Sequence, residues 1–288
     1  MTDKLPKIPI ALVVSDVDGT LVTRDKRVTP RARAAVENLR RQGIYFTIMS
    51  ARPPVGVSAI VRALDLPGPI GAVNGGALIR GDLSVIERLY MPAKAARESV
   101  AFIRRHGIDA WLFTDTEWFL RDPEGAHVEH EKKTLGMDFT VVDEFDDAHF
   151  DQALKIVAAS HDHPLLERLE AELQALLGPH ASATRSQTYY LDVTHPEAIK
   201  GFGLLGIARL LDIPPEAVLA IGDGVNDITM LQQAGFAVAM GNANDLVKKH
   251  ATVITGDCDQ EGFAEAIETF VLADPRRAER LADEDLAS

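Results

Sequence analysis

One event recurs along this chain and restricts its fold more than any other feature: a short apolar run stops at a cluster of polar side chains. IALVV (10–14) runs into Ser15 and DVDGT (16–20), IYFTIM (44–49) into SAR (50–52), and AVLAIG (217–222) into DGVND (223–227). Parallel strands in an open α/β sheet place such ends along one edge, where the ligand crevice of that architecture lies. Side chains far apart in sequence, Asp16, Ser50 and Asp223, are thereby expected to converge.

The segments between the runs fit this reading. In TPRARAAVENLRRQG, Thr29 suits a helix cap and Pro30 the first turn, Ala32, Ala35, Val36 and Leu39 form an apolar stripe, and Gly43 ends it. A second helix is expected with Val57, Ile60, Val61 and Leu64 on one side, followed by GAVNGGALI and SVIERLY as a strand passing into a hairpin. From about 90 to 190 the style changes. AARESVAFIRRHG and HPLLERLEAELQALLG read as helices, DAWLFTD and EWFLRD as antiparallel strands, FDQALKIVAA and QTYYLDVT as further strands. That mixture suits a small α+β unit (89–190) inserted into a discontinuous core (1–88 and 191–288).

Composition narrows the partners. The 288 residues hold 30 Lys and Arg against 43 Asp and Glu, a formal charge of -13, which disfavours nucleic acid and anionic membranes. A small anionic substrate is still accessible to a local cluster or a bound metal. The lone cysteine, Cys258, excludes an intrachain disulfide and a Cys-rich zinc site. No window reaches the roughly 20 apolar residues of a membrane span and no signal-like run opens the sequence, so a cytoplasmic protein is expected.

The two acidic loops carry the chemistry. Carboxylates concentrated at two strand ends need a cation, a raised pKa, or both. Magnesium with a phosphoryl substrate meets that need most simply. A calcium loop of the EF-hand type fails in both registers, since Val14 would fill its first position or Arg27 its last, and GDGVND lacks the Lys-Ser/Thr end of a nucleotide-binding phosphate loop.

DVDGT (16–20), SAR (50–52), Lys200 within EAIKGFG and GDGVND (222–227) resemble, in order, the four motifs of the haloacid dehalogenase-like hydrolase superfamily. NGG (74–76), AMGNA (239–243) and VKKHATVIT (247–255) are similar to its Cof-like phosphatase branch, as is an insertion of the C2 cap type between the second and third motifs. The resemblance implies a Rossmann-like α/β hydrolase core with an inserted cap. It also implies a magnesium-dependent phosphoric monoester hydrolase that works through an aspartyl-phosphate. Asp16 would be the nucleophile and Asp18 the acid and base, the repulsion between them helping Asp18 to hold a proton. The metal shell would comprise Asp16, the backbone carbonyl of Asp18, Asp223 and, indirectly, Asp227. Ser50, Ala51, Lys200 and Asn226 would bind phosphate, with Ser50 and Lys200 counted as catalytic.

Each assignment has a plainer competitor: an N-cap for Asp227, an exposed helical lysine for Lys200, a turn serine for Ser50 and a hairpin connection for Asn74, Gly75 and Gly76. Specificity candidates are Arg52, Asn74, Gly75, Trp118, Phe119, Arg185 and Tyr189, although Trp118 and Phe119 also read as cap core and Arg185 as a surface residue. HVEH (127–130) spaces two histidines three apart with no ligand set beside them, and reads as an inter-strand loop. The implied substrate is a small phosphorylated metabolite, a sugar phosphate or a relative. A phosphotransferase or sugar phosphomutase using the same intermediate, and a non-enzymatic phosphate-binding module, are the alternatives.

Overall fold

A computed structural model describes residues 5–276. The chain divides into two compact units, one formed by residues up to 49 and from 200 onward, the other by 50–199.

The first unit is built on a five-stranded parallel sheet in the order Val253–Ile254, Phe236–Ala239, Val218–Gly222, Leu12–Ser15 and Tyr45–Ile48. Leu12–Ser15, Val218–Gly222 and Phe236–Ala239 are buried along their whole length, which is why they read as unbroken apolar runs. Register fixes what lies at the edge. Ser15 sits opposite both Ile48 and Ile221, and the Asp16 amide still donates to the Ile221 carbonyl at 2.9 Å. The DVDGT and GDGVND loops therefore leave adjacent strands at the same level.

Helix Pro30–Arg41 buries the expected face, Ala32, Ala35, Val36 and Leu39, and the Thr29 hydroxyl accepts the Ala32 amide at 3.1 Å. Helix Lys200–Leu210 packs on Ile228–Gln233, and the short helices Asp245–Lys248 and Gly262–Ile267 complete this unit's cover.

The second unit holds two sheets. Ile70–Ala72, Ala77–Ile79 and Val85–Arg88 form an antiparallel three-stranded sheet. Six strands, in the order Ser182–Gln187, Tyr190–Thr194, Lys155–Ala159, Ala110–Phe113, Trp118–Leu120 and Thr140–Val141, form the other; only the last pairing is parallel. One face of this larger sheet contributes Leu112, Ile156, Ala158, Leu191 and Val193 to a core shared with helices Ala93–Arg105 and His163–Leu177. Its other face carries Trp111, Phe113, Trp118, Leu120, Val157 and Tyr190, packed with Val128 and Leu135 of helix Val128–Leu135.

Residues 50–88 thus group with the insertion, because their strands build a separate small sheet instead of extending the parallel one. Two local readings differ as well. FDQALKIVAA (150–159) is strand only over Lys155–Ala159; its first two residues end helix Asp147–Asp151, which Asp146 caps. HVEH opens a helix instead of a loop, since Val128 and Leu135, seven apart, give it one buried face. No helix among the described residues is long and apolar enough to cross a membrane.

Candidate active site

The polar edge of the parallel sheet is organised around one lysine. Lys200, at the start of its helix, is 1% exposed, and its Nζ lies 2.5 Å from Asp16 Oδ1 and 2.5 Å from Asp227 Oδ1. The exposed-lysine alternative is thereby excluded. Asp227 is fully buried, and its Oδ2 accepts the backbone amides of Asp223 (2.9 Å) and Gly224 (2.8 Å). It makes no side-chain cap on helix Ile228–Gln233, so the simple N-cap reading fails: Asp227 reaches back to tie its own loop to Lys200.

Asp223 completes the cluster, with Oδ1 accepting from the Thr20 hydroxyl at 2.8 Å and Oδ2 from Asn242 Nδ2 at 3.1 Å. Asn242 Nδ2 also donates to the Gly19 carbonyl at 2.9 Å, joining both acidic loops. Two glycines make this approach possible. Gly19 has φ +86°, and a Cβ there would lie 2.5 Å from Asp223 Oδ2; a Cβ on Gly222 would lie 2.5 Å from the Asp227 carboxylate.

Electrostatics explain what the cluster lacks. Burial, then Asp227, push the Asp16 carboxyl well above its ordinary range, although Lys200 pulls the other way. Burial and Asp227 likewise raise Asp223 to about 6. Burial alone would lower Lys200, but Asp16 and Asp227 hold it above its ordinary value. One ammonium therefore faces more carboxylate than it can neutralise. Oxygens of Asp16, Asp223 and Asp227 lie within 4.8 Å of one another. An all-oxygen donor set with a charge deficit fits a hard dication such as magnesium. A second group, Asp257, Cys258 and Asp259, has its carboxylates engaged by Arg24.

Asp18 lies 2.7 Å from Lys26 Nζ. The sequence reading considered only the repulsion between Asp18 and Asp16, and did not anticipate this cation. Thr20, Lys26 and Asn242 are the site residues it missed; the signal for Asn242 was present, since FAVAM is a fourth apolar run ending in GNA. Asn226 lies between Val225 and Asp227 in a single turn next to the buried carboxylates.

The other candidates belong to the second unit. Ser50 is buried, with Oγ accepting the Arg52 amide at 3.2 Å and its carbonyl accepting the Asn74 amide at 2.8 Å. The Ala51 carbonyl accepts Lys155 Nζ at 3.3 Å, and Arg52 Nη1 donates to the Gly56 carbonyl at 3.1 Å. Asn74 and Gly75 both occupy the left-handed region, so this unit gathers Ser50, Arg52, Asn74 and Gly75 into one tight turn system. Trp118 and Phe119 lie in the cores on opposite faces of the six-stranded sheet. Arg185 pairs with Glu170 at 2.9 Å, and Tyr189 stacks on His127.

Comparison with known proteins agrees with this geometry. The family described as haloacid dehalogenase-like hydrolase matches residues 13–267. The chain is 28% identical to the pyridoxal phosphate phosphatase YbhA of Escherichia coli, covering 91% of this chain and 98% of that one. It is 26% identical to the 5-amino-6-(5-phospho-D-ribitylamino)uracil phosphatase YcsE of Bacillus subtilis, covering 92% and 97%. Among solved structures, a haloacid dehalogenase-like hydrolase from Bacteroides thetaiotaomicron superimposes with a TM-score of 0.82 at 28% identity, covering 90% and 98%. With its parallel core, cap-like inserted unit and aspartate cluster, the chain is an enzyme belonging to the haloacid dehalogenase-like hydrolases, among their Cof-like relatives.

Proposed function

We propose that this enzyme is a magnesium-dependent phosphatase that hydrolyses small phosphate monoesters, a sugar phosphate or related metabolite, through an aspartyl-phosphate on Asp16. The observation that carries the reading is the buried Asp16–Lys200–Asp227 triad beside Asp223, which combines an oriented carboxylate nucleophile with a deficit of positive charge.

Asp16, Asp223 and the Asp18 carbonyl would hold magnesium, with Asp227 behind them; the ion would neutralise phosphoryl oxygens and keep Asp16 ionised. Lys200 fixes the Asp16 carboxylate and adds positive charge where charge accumulates on the phosphoryl group. Asp16 attacks phosphorus, and Asp18 protonates the departing alkoxide. Asp18, now ionised, takes a proton from the water that cleaves the acyl-phosphate, which releases phosphate, frees the Asp16 carboxylate and returns Asp18 to its protonated form. Lys26 must yield its contact with Asp18 while that proton moves. By their motifs, Ser50, Ala51 and Asn226 donate to the phosphate.

Purified protein is assayed for phosphate release on a panel of sugar phosphates, pyridoxal phosphate and other small esters, with magnesium and with EDTA. Magnesium-dependent release that disappears in Asp16→Asn, with a phosphoryl adduct on Asp16 in acid-quenched wild type, supports the reading. Full activity in Asp16→Asn refutes it. Phosphoryl exchange between positions of a sugar without release would indicate a mutase instead.

A further inference from the structure

The histidines of HVEH acquire partners that the sequence did not place beside them. His161 and His163, more than thirty residues later, bring their rings to the same corner of the second unit. The His127 ring centroid lies 4.4 Å from His161 and 6.4 Å from His130, and Tyr189 stacks on His127 at 4.7 Å, with the His163 ring 6.4 Å from that of Tyr189. Four of the chain's nine histidines are therefore gathered around the stacked His127–Tyr189 pair. They belong to a different unit from the aspartate cluster.

His127 is the fixed member. Its backbone has φ +64°, a conformation that side-chain-bearing residues seldom adopt. Its ring bonds to the backbone of Ser160, while Nε2 is buried with no hydrogen-bond partner. A ring nitrogen anchored to the backbone, with the other presenting a bare lone pair, is the arrangement that fixes a metal-binding histidine's tautomer and orientation. Burial, then His161 and His130, hold the His127 pKa below its ordinary value, so the lone pair is free at neutral pH.

The other three imidazoles are solvent-exposed. The His161 ring meets His127 tilted and the His130 ring meets it edge-on, while His163 lies against Tyr189, so capture of an ion requires them to turn about their own side-chain bonds toward His127 Nε2. A cavity of about 380 Å³ adjoins the cluster, lined by His161 with Trp111, Asp109, Asp122 and Asp162. Its carboxylates already accept backbone amides, Asp109 from Arg121 and Asp122, and Asp162 from Leu165, so they supply negative potential more than ligand atoms.

We infer that His127, with His161 and one or both of His130 and His163, forms a binding site for a first-row transition dication such as zinc or nickel. Imidazole nitrogens select such ions over magnesium, which prefers oxygen, so the two cation centres would not compete. The inference is independent of the hydrolytic reading.

Both tryptophans of the chain, Trp111 and Trp118, lie in this unit, and Trp111 lines the adjoining cavity. Nickel titrated into the full-length, magnesium-saturated protein is expected to quench tryptophan fluorescence saturably at one equivalent, and zinc to reverse the quenching. His127→Gln and His161→Gln should each weaken the nickel midpoint about tenfold or more, because losing a ligand exceeds the usual effect of losing an outer-shell partner. His161→Gln with His163→Gln, both at exposed positions, repeats the test should His127→Gln disturb folding. Absence of saturable quenching, or a midpoint unchanged by these substitutions, overturns the proposal.

Discussion

Replacing Asp223 by Asn should make the metal-free enzyme more stable at neutral pH while destroying its response to magnesium. In the fold the Asp223 carboxyl titrates near 6 instead of 3.8, through burial first and Asp227 second. Two units correspond to about 3 kcal/mol at about 1.4 kcal/mol per unit. The sign follows from proton binding. Between 3.8 and 6 the folded state binds more protons than the unfolded one, so stability falls as pH rises through that window, and the full penalty is present above it. Asp16, raised by burial and Asp227, acts in the same direction. The exposed carboxylates with lowered values, such as Asp25, Asp82 and Asp146, lose their contribution only below the ordinary carboxylate range and leave the window clear.

Asn removes the charge at little geometric cost. The Thr20 hydroxyl can change from donor to acceptor, leaving the amide oxygen for Asn242. Denaturation in EDTA is best followed by far-UV circular dichroism, because both tryptophans lie in the inserted unit and would not report on the core. Asp223→Asn should exceed wild type by about 2–3 kcal/mol near neutral pH, with the gap closing toward pH ~4. Magnesium at about a hundred times its Kd should add about 2.7 kcal/mol to wild type and nothing to the variant. A metal-free variant less stable than wild type at neutral pH, or one still stabilised by magnesium, would refute this account of the site's charge.

Lys200→Met leaves Asp16 and Asp227 buried without their shared cation; it should abolish phosphate release and cost about 3–5 kcal/mol in EDTA by chemical denaturation. Gly222→Ala drives a methyl into the Asp227 carboxylate, so activity should fall steeply with a stability loss of about 1–3 kcal/mol, measured by turnover and denaturation together. In the second unit, Lys155 and Asp192 form a pair at 2.6 Å that is 6% and 4% exposed, with Asp192 Oδ1 lacking a hydrogen-bond partner. Lys155→Met should cost about 3–5 kcal/mol by tryptophan fluorescence, and Lys155→Met with Asp192→Leu distinctly less, because the double change removes the stranded charge.

The parts of the fold legible in the sequence were those where one physical constraint dominated. Leu12–Ser15 and Val218–Gly222 are buried on both faces, so composition alone reveals them, and parallel register then obliges Asp16 and Asp223 to emerge side by side. Contacts between non-neighbouring segments had no such local signature. Lys200 looks like any helical lysine until its helix is packed against the sheet edge. Lys26 approaches Asp18 through a turn whose left-handed residue is Lys26 itself, a position that pattern rules assign to Gly or Asn. The histidine corner shows the same division: spacing relates His127 to His130, but only the return of the chain at 160–163 supplies the remaining imidazoles. Burial of a whole element is written into its residue types, whereas the partner of a single charge or lone pair depends on which distant loop arrives beside it. That is why Asp16 and Asp223 could be brought together from sequence, whereas Thr20 and Asn242, which bond to Asp223, and Lys26, which bonds to Asp18, could not.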